Sequence, residues 1–257
     1  MKEFFGFGGY TREPEGYMSW QHLLFVSSLM AIMITLAIIF GRKYRNEVDE
    51  KKNKVLIWTA ILIDSFEIFK IVLMSFRGND PLTFLRELPL YLCSIQLITI
   101  PLAAFSKGRV KEAALDFVLI FGILGAVFGT YFAGQNYGCY PVLSFDNVIS
   151  GITHSIAGFA SLYIAISNSA SMKKKNIYIT FIILFGFCIS AYIANLILDS
   201  NYMFLMRGDG TPYDILFNLT NGGFIYALGV VLLFVLYITG FNYIFNLIKN
   251  KSKKVNE

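Results

Sequence analysis

Seven mostly apolar runs, near residues 20–40, 54–75, 88–106, 112–134, 148–168, 176–198 and 223–248, divide this chain, with short polar stretches between them. Each is long enough for a helix to cross a hydrocarbon layer of roughly 30 Å at about 1.5 Å per residue. A water-soluble domain of 257 residues has no interior for this much apolar surface, since hydrophobic residues make up 56% of the chain. The runs predict an all-α bundle of seven transmembrane helices, a single domain covering residues 1–257. The stretch before residue 20 holds Lys2, Glu3, Arg12, Glu13 and Glu15 without a continuous apolar core, so no cleavable signal peptide is expected.

The net charge of +5 taken alone is compatible with nucleic-acid binding, but its distribution argues for topology instead. Lys and Arg number six in 41–54, three in 107–111, three in 173–175 and four in 249–254, which makes 16 on one side of the seven runs. The other side carries five: Lys2, Arg12, Arg77, Arg86 and Arg207. The remaining one of the 22, Lys70, falls well inside a run. Positive residues gather on the cytoplasmic side of short loops, so the asymmetry predicts an N-terminus outside and a C-terminus in the cytoplasm. Membrane lipids are the expected partners and nucleic acid is not. The low-proline, Lys- and Asn-bearing composition is compatible with a multi-pass protein of a bacterial plasma membrane.

Direction assigns each polar residue within a run a depth. Cys93 is six residues past Glu87, roughly 9 Å below the outer boundary of the third helix at 1.5 Å per residue. His154 is about six residues into the fifth, at the same level. Asp64, Glu67 and Lys70 recur at three-residue spacing along the second helix and bring Lys70 to that level too. Ser94 and Gln96 flank Cys93, and the sixth helix ends in Asn195, Asp199 and Asn201, with Tyr202 following. Ionisable groups in spans usually face the bundle interior or a cavity, so these residues are expected to converge near the outer leaflet. Each also has a structural explanation: the cysteine as a small hydrophobe, the histidine as an interhelical hydrogen-bond group, the charges as a self-neutralising cluster. His22, Trp20 and Tyr17 at the mouth of the first helix read as interfacial, Gly122, Gly125, Gly129 and Gly134 as a helix-packing face, and Arg207-Gly208-Asp209 as a turn.

A thiol beside an imidazole is the minimal nucleophile and base for acyl transfer. Cys93 and His154 are the candidate catalytic pair, with Lys70, Glu67, Gln96, Asn195, Asp199, Asn201 and Tyr202 as candidate supporting or substrate-binding groups. No phosphate loop, dinucleotide fingerprint, HExxH or cysteine-rich site occurs, so neither cofactor nor metal is expected. A small-molecule permease or binding protein, for which the charges on the second helix would matter most, and a membrane scaffold, for which none need be accessible, stay open as alternatives.

The segment Leu88-Pro89-Leu90-Tyr91-Leu92-Cys93-Ser94, with His154-Ser155, Asn201-Tyr202-Met203-Phe204-Leu205 and Pro212, resembles the YwaF-like family of bacterial membrane proteins, whose eukaryotic relatives include transmembrane protein 164. The resemblance covers nearly the whole chain. It implies a seven-helix fold and, for the eukaryotic branch, a phospholipid acyltransferase with a membrane-embedded cysteine and a histidine partner, roles that fall on Cys93 and His154. A phospholipid or lysophospholipid is the implied substrate, for transfer or for hydrolysis of the acyl group. The chain departs from the pattern at Tyr91, where histidine is frequent, and at Ser94, where an acidic residue is common.

Overall fold

A computed structural model describes residues 2–79, 82–170 and 172–255, and side chains of Arg86 and residues 249–255 are left aside. Ten α-helices account for the architecture of the described residues, which contain no strand: α1 (Trp20–Tyr44), α2 (Asp49–Gly78), α3 (Thr83–Arg86), α4 (Gln96–Phe105), α5 (Gly108–Phe128), α6 (Gly134–Cys139), α7 (Phe145–Ile166), α8 (Ile177–Leu198), α9 (Tyr213–Thr220) and α10 (Gly223–Val255). The seven expected helices correspond to α1, α2, α4, α5, α7, α8 and α10. Four stretches, Trp20–Tyr44, Phe145–Ile166, Lys174–Leu198 and Gly223–Ile248, are long and apolar enough to cross a membrane by themselves.

The helix ends follow local chemistry. Ser19 and Ser144 cap α1 and α7, their hydroxyls accepting from the N–H of His22 and Asn147 at 3.3 Å. Asn79, Asp199 and Asn221 close α2, α8 and α9 in the left-handed conformation that short polar side chains tolerate.

α7 is the axis of the bundle. Half of its apolar stretch is buried, against 22–28% in the other three membrane-length stretches. It packs against α1, α2 and α5, and α5 is buried without interruption from Ala113 to Gly122. The two helices approach closely because Gly122 has no side chain: a Cβ there would stand 2.7 Å from the Ala157 carbonyl oxygen. One helical turn on, the Ser161 hydroxyl donates to the Leu119 carbonyl at 2.7 Å.

Two expectations change. The fourth run ends as a helix at Phe128 rather than 134, and the Thr130 carbonyl freed by that ending accepts from His22 Nε2 at 3.1 Å. His22, expected at the interface, is therefore fully buried, with Met18 N–H donating to its Nδ1 at 3.2 Å. The third run is not helical from residue 88. Only Gln96–Phe105 forms α4, and residues 87–95 are irregular.

The residues before α1 form a strap across the ends of α2 and α7. Phe145 N–H donates to the Phe4 carbonyl at 2.9 Å, and Val142 N–H to Glu15 Oε2 at 2.8 Å. Arg77 at the end of α2 makes a bidentate pair with Asp146 at the start of α7, 2.7 and 2.9 Å. Tyr10 donates its hydroxyl to the same carboxylate, and Arg77 Nη1 reaches the Phe5 carbonyl at 3.3 Å. Burial and the neighbouring carboxylate push the Tyr10 phenol up to about 12, so it remains a donor throughout the neutral range. Phe5 and Phe69 pack on Phe145 with centroids at 5.5 and 5.6 Å. Arg77→Ala leaves the largely buried Asp146 carboxylate without its cation, and the expected loss is about 3 kcal/mol. Faster tryptic cleavage after Arg12 in the variant than in the parent chain checks that the strap has been released.

Candidate active site

Leu88 to Ile95 are kept from helical geometry by two residues. Pro89 has no N–H and disfavours a helical Leu88. Ser94 competes for the backbone: its hydroxyl accepts from Tyr91 N–H at 3.0 Å and donates to the Tyr91 carbonyl at 3.2 Å. The chain then curls through Ile95 N–H to the Tyr91 carbonyl, 3.0 Å, and enters α4. Cys93 consequently lies in the turn that leads into a helix N-terminus, not one-third of the way along a span.

His154 projects from α7 towards this turn. Its Nδ1 is 2.7 Å from the Ser150 carbonyl oxygen. A carbonyl only accepts, so Nδ1 carries the proton and Nε2 is left with the lone pair. The imidazole and the Cys93 thiol border the same cavity. A main-chain carbonyl, not a carboxylate, therefore orients the ring.

A glycine face of α5 makes room for this pair. A Cβ at Gly125 would sit 3.3 Å from Cys93 Cβ, and one at Gly129 would sit 1.9 and 2.1 Å from His154 Cδ2 and Nε2. No side chain other than hydrogen is compatible with the imidazole in its present position.

Cys93, Ser94 and Leu97 form one wall of a cavity of about 70 Å³, Ser150, Thr153 and His154 of α7 the second, and Ile63, Glu67 and Lys70 of α2 the third. That volume is roughly two waters' worth of space. It holds a reacting carbonyl group but no acyl chain. Lys70 Nζ is 2.7 Å from Glu67 Oε1 and 2.9 Å from Glu87 Oε2, so it joins α2 to the irregular segment that carries Cys93.

A family model described as the TMEM164 family matches residues 17–241, a stretch that takes in Cys93, His154 and every helix from α1 into α10. The chain belongs to the TMEM164 family. No curated protein and no solved structure gives a significant match.

In this TMEM164-family chain, Cys93, His154, Lys70 and Glu67 share the cavity, and the other candidates stand elsewhere. Gln96 opens α4 fully buried; its Oε1 accepts from the Thr99 hydroxyl at 3.1 Å, its Nε2 has no partner among the described residues, and it does not border the cavity. Asn195 braces the connection after α8, accepting from Tyr202 N–H at 2.6 Å and donating to the Tyr202 carbonyl at 3.0 Å. Asn201 does the same one turn later, donating to the Arg207 carbonyl and to Asp209 at 2.8 Å. Asp199 is the exposed C-cap of α8. Tyr202 reaches furthest, donating to the Leu85 carbonyl at 3.1 Å and setting its ring edge-on to Tyr91, so the long connection steadies the Cys93 segment from behind. The Arg207-Gly208-Asp209 segment leads into a turn, with Arg207 paired to Asp209 at 2.8 Å. Glu87, Gly125 and Gly129 are the site residues that the candidate set lacks. The three- to four-residue glycine spacing on α5 is their one sequence signal, and it points to close packing without naming what packs there.

Gly129→Ala is expected to push the imidazole off Cys93 while leaving α5 helical. Alkylation of Cys93 by iodoacetamide at pH 7 should slow at least tenfold, approaching the effect of His154→Ala, since a positioned base is worth about 10²–10⁴-fold.

Proposed function

We propose that this chain is a seven-span membrane protein, N-terminus outside and C-terminus in the cytoplasm, that moves acyl groups of membrane lipids through a thioester on Cys93. The observation that carries the chemistry is that Cys93 and His154 line one cavity, with His154 Nδ1 committed to the Ser150 carbonyl. The phospholipid acyltransferase activity implied by the resemblance points the same way. The 16-to-5 division of basic residues supports the orientation, and α2, α4 and α5 supply the three crossings beyond the four apolar ones. The third crossing is then a short helix preceded by irregular backbone, which membranes tolerate where protein encloses it.

In this reading Nε2 of His154 takes the Cys93 proton as sulfur attacks the ester carbonyl of a lipid. Collapse of the tetrahedral intermediate breaks the C–O bond, and the imidazolium returns its proton to the departing oxygen. A lysophospholipid hydroxyl then attacks the thioester, with His154 again as base, and the thiol is regenerated. Water in place of that hydroxyl makes the reaction a hydrolysis. The acyl chain lies outside the cavity, in the lipid, because the cavity accommodates only the reacting group.

An acyl-thioester probe should label Cys93, and His154→Ala should reduce the labelling about 100-fold on the scale of general-base loss. Equal labelling of the two chains rules out the base. Orientation is read from Cys139, an exposed cysteine in the connection before α7. A membrane-impermeant maleimide applied to intact cells should modify it and leave Cys139→Ser unmodified, whereas reaction only after permeabilisation reverses the topology.

A further inference from the structure

Lys70 is a cation at a site whose proposed chemistry passes through an anion. Two of the three hydroxyls around the cavity are already committed, Ser94 donating to the Tyr91 carbonyl and Thr153 to the Ser150 carbonyl at 3.0 Å, while Ser150 Oγ lies 3.4 Å from the protonated His154 Nδ1. An ammonium carries three donors. Glu67 takes one and Glu87 another, while the third has no partner among the described residues, and Lys70 borders the cavity beside Cys93 and His154. The remaining carboxylate nearby, Asp64, lies six residues before Lys70 on α2 and has no ion pair with it.

The same position is hazardous. A neutral amine next to an acyl-thioester is a better-placed acceptor than any lipid, and the amide it forms is not reversed. Two carboxylates on one lysine hold the proton that prevents this, where burial alone favours the neutral amine.

We propose that Lys70 is a catalytic residue of the acyl-transfer site, its third N–H stabilising the oxyanion of the tetrahedral intermediate, while Glu67 and Glu87 keep it an ammonium and so block acyl capture. The proposal rests on the Cys93 thioester reading. The blocked side reaction is balanced as follows: Lys70 Nζ attacks the thioester carbonyl, a C–N bond forms and the C–S bond breaks. The electron pair leaves on Cys93 sulfur, and the proton lost by nitrogen is taken by His154 Nε2.

The test uses the full chain in phospholipid nanodiscs with p-nitrophenyl octanoate as acyl donor. Release of p-nitrophenolate times the acylation, and peptide mass mapping separates a hydroxylamine-labile thioester on Cys93 from a hydroxylamine-stable amide on Lys70. Lys70→Met should slow acylation about 100-fold, the scale for losing one oxyanion donor, and Lys70→Arg should recover most of the rate. Because Lys70→Met strands two carboxylates, the same loss must appear in Lys70→Met/Glu67→Gln/Glu87→Gln, where no charge of the trio remains. Glu67→Gln/Glu87→Gln, which keeps Lys70, should transfer the octanoyl group onto Lys70 and stop after one turnover; it carries the test if the triple variant does not assemble. Wild-type acylation rates in the triple variant, or a double variant with no amide on Lys70, overturn the proposal and leave the Cys93–His154 pair intact. A parent chain that never acylates on Cys93 overturns both.

Discussion

Contact between α5 and its neighbours is limited by hydrogen atoms rather than by side chains, and the arrangement at the centre of the bundle depends on that. Gly122 lets α7 in at Ala157, Gly125 admits the turn holding Cys93, and Gly129 leaves the volume that the His154 ring occupies. In a bilayer there is no hydrophobic gain from pressing one apolar helix on another, so close van der Waals contact and hydrogen bonds have to hold the helices together. The glycine face supplies the first and the Ser161–Leu119 hydrogen bond adds the second. The turn holding Cys93 and the His154 imidazole thereby border one cavity.

The irregular stretch ahead of α4 raises a different requirement. Backbone groups outside a helix are costly at membrane depth unless something in the protein satisfies them. Ser94 serves both polar groups of Tyr91, Tyr202 donates to the Leu85 carbonyl, and Glu87 is tied to Lys70. The residues after α8 solve the same problem through Asn195 and Asn201, whose amides stand in for missing helical partners. The polar side chains at this end of the bundle thus divide into those that satisfy backbone and those left to face the cavity.

That division explains what can be read from the sequence and what cannot. Hydropathy locates α7 and α8 within three residues at each end, because uninterrupted apolar runs have one stable form in lipid. It fails over 88–95, where the run stays apolar and yet Pro89 and Ser94 remove helical hydrogen bonds, a loss that a hydropathy average does not register. Equal depth brings Cys93 and His154 to one place, and Lys70 with them. The same reasoning places Asn195, Asp199 and Asn201 nearby in height but carries no information on azimuth, and they turn out to brace the following connection. Glu87 escapes notice because it sits at a run boundary, where an acidic residue looks like an ordinary loop residue. For Gly129 the spacing is visible but the identity of its neighbour, 25 residues away in sequence, is not.

The strap across the ends of α2 and α7 constrains the order of assembly. Tyr10 precedes its partner Asp146 by 136 residues, with Arg77 between them. Phe4 likewise waits for Phe145 N–H. The segment before α1 has no seat until α2 and α7 stand side by side, so its docking reports that these two helices have met. A chain in which α7 is misplaced keeps this segment free, which makes it a readout of assembly that quality-control proteases are able to inspect.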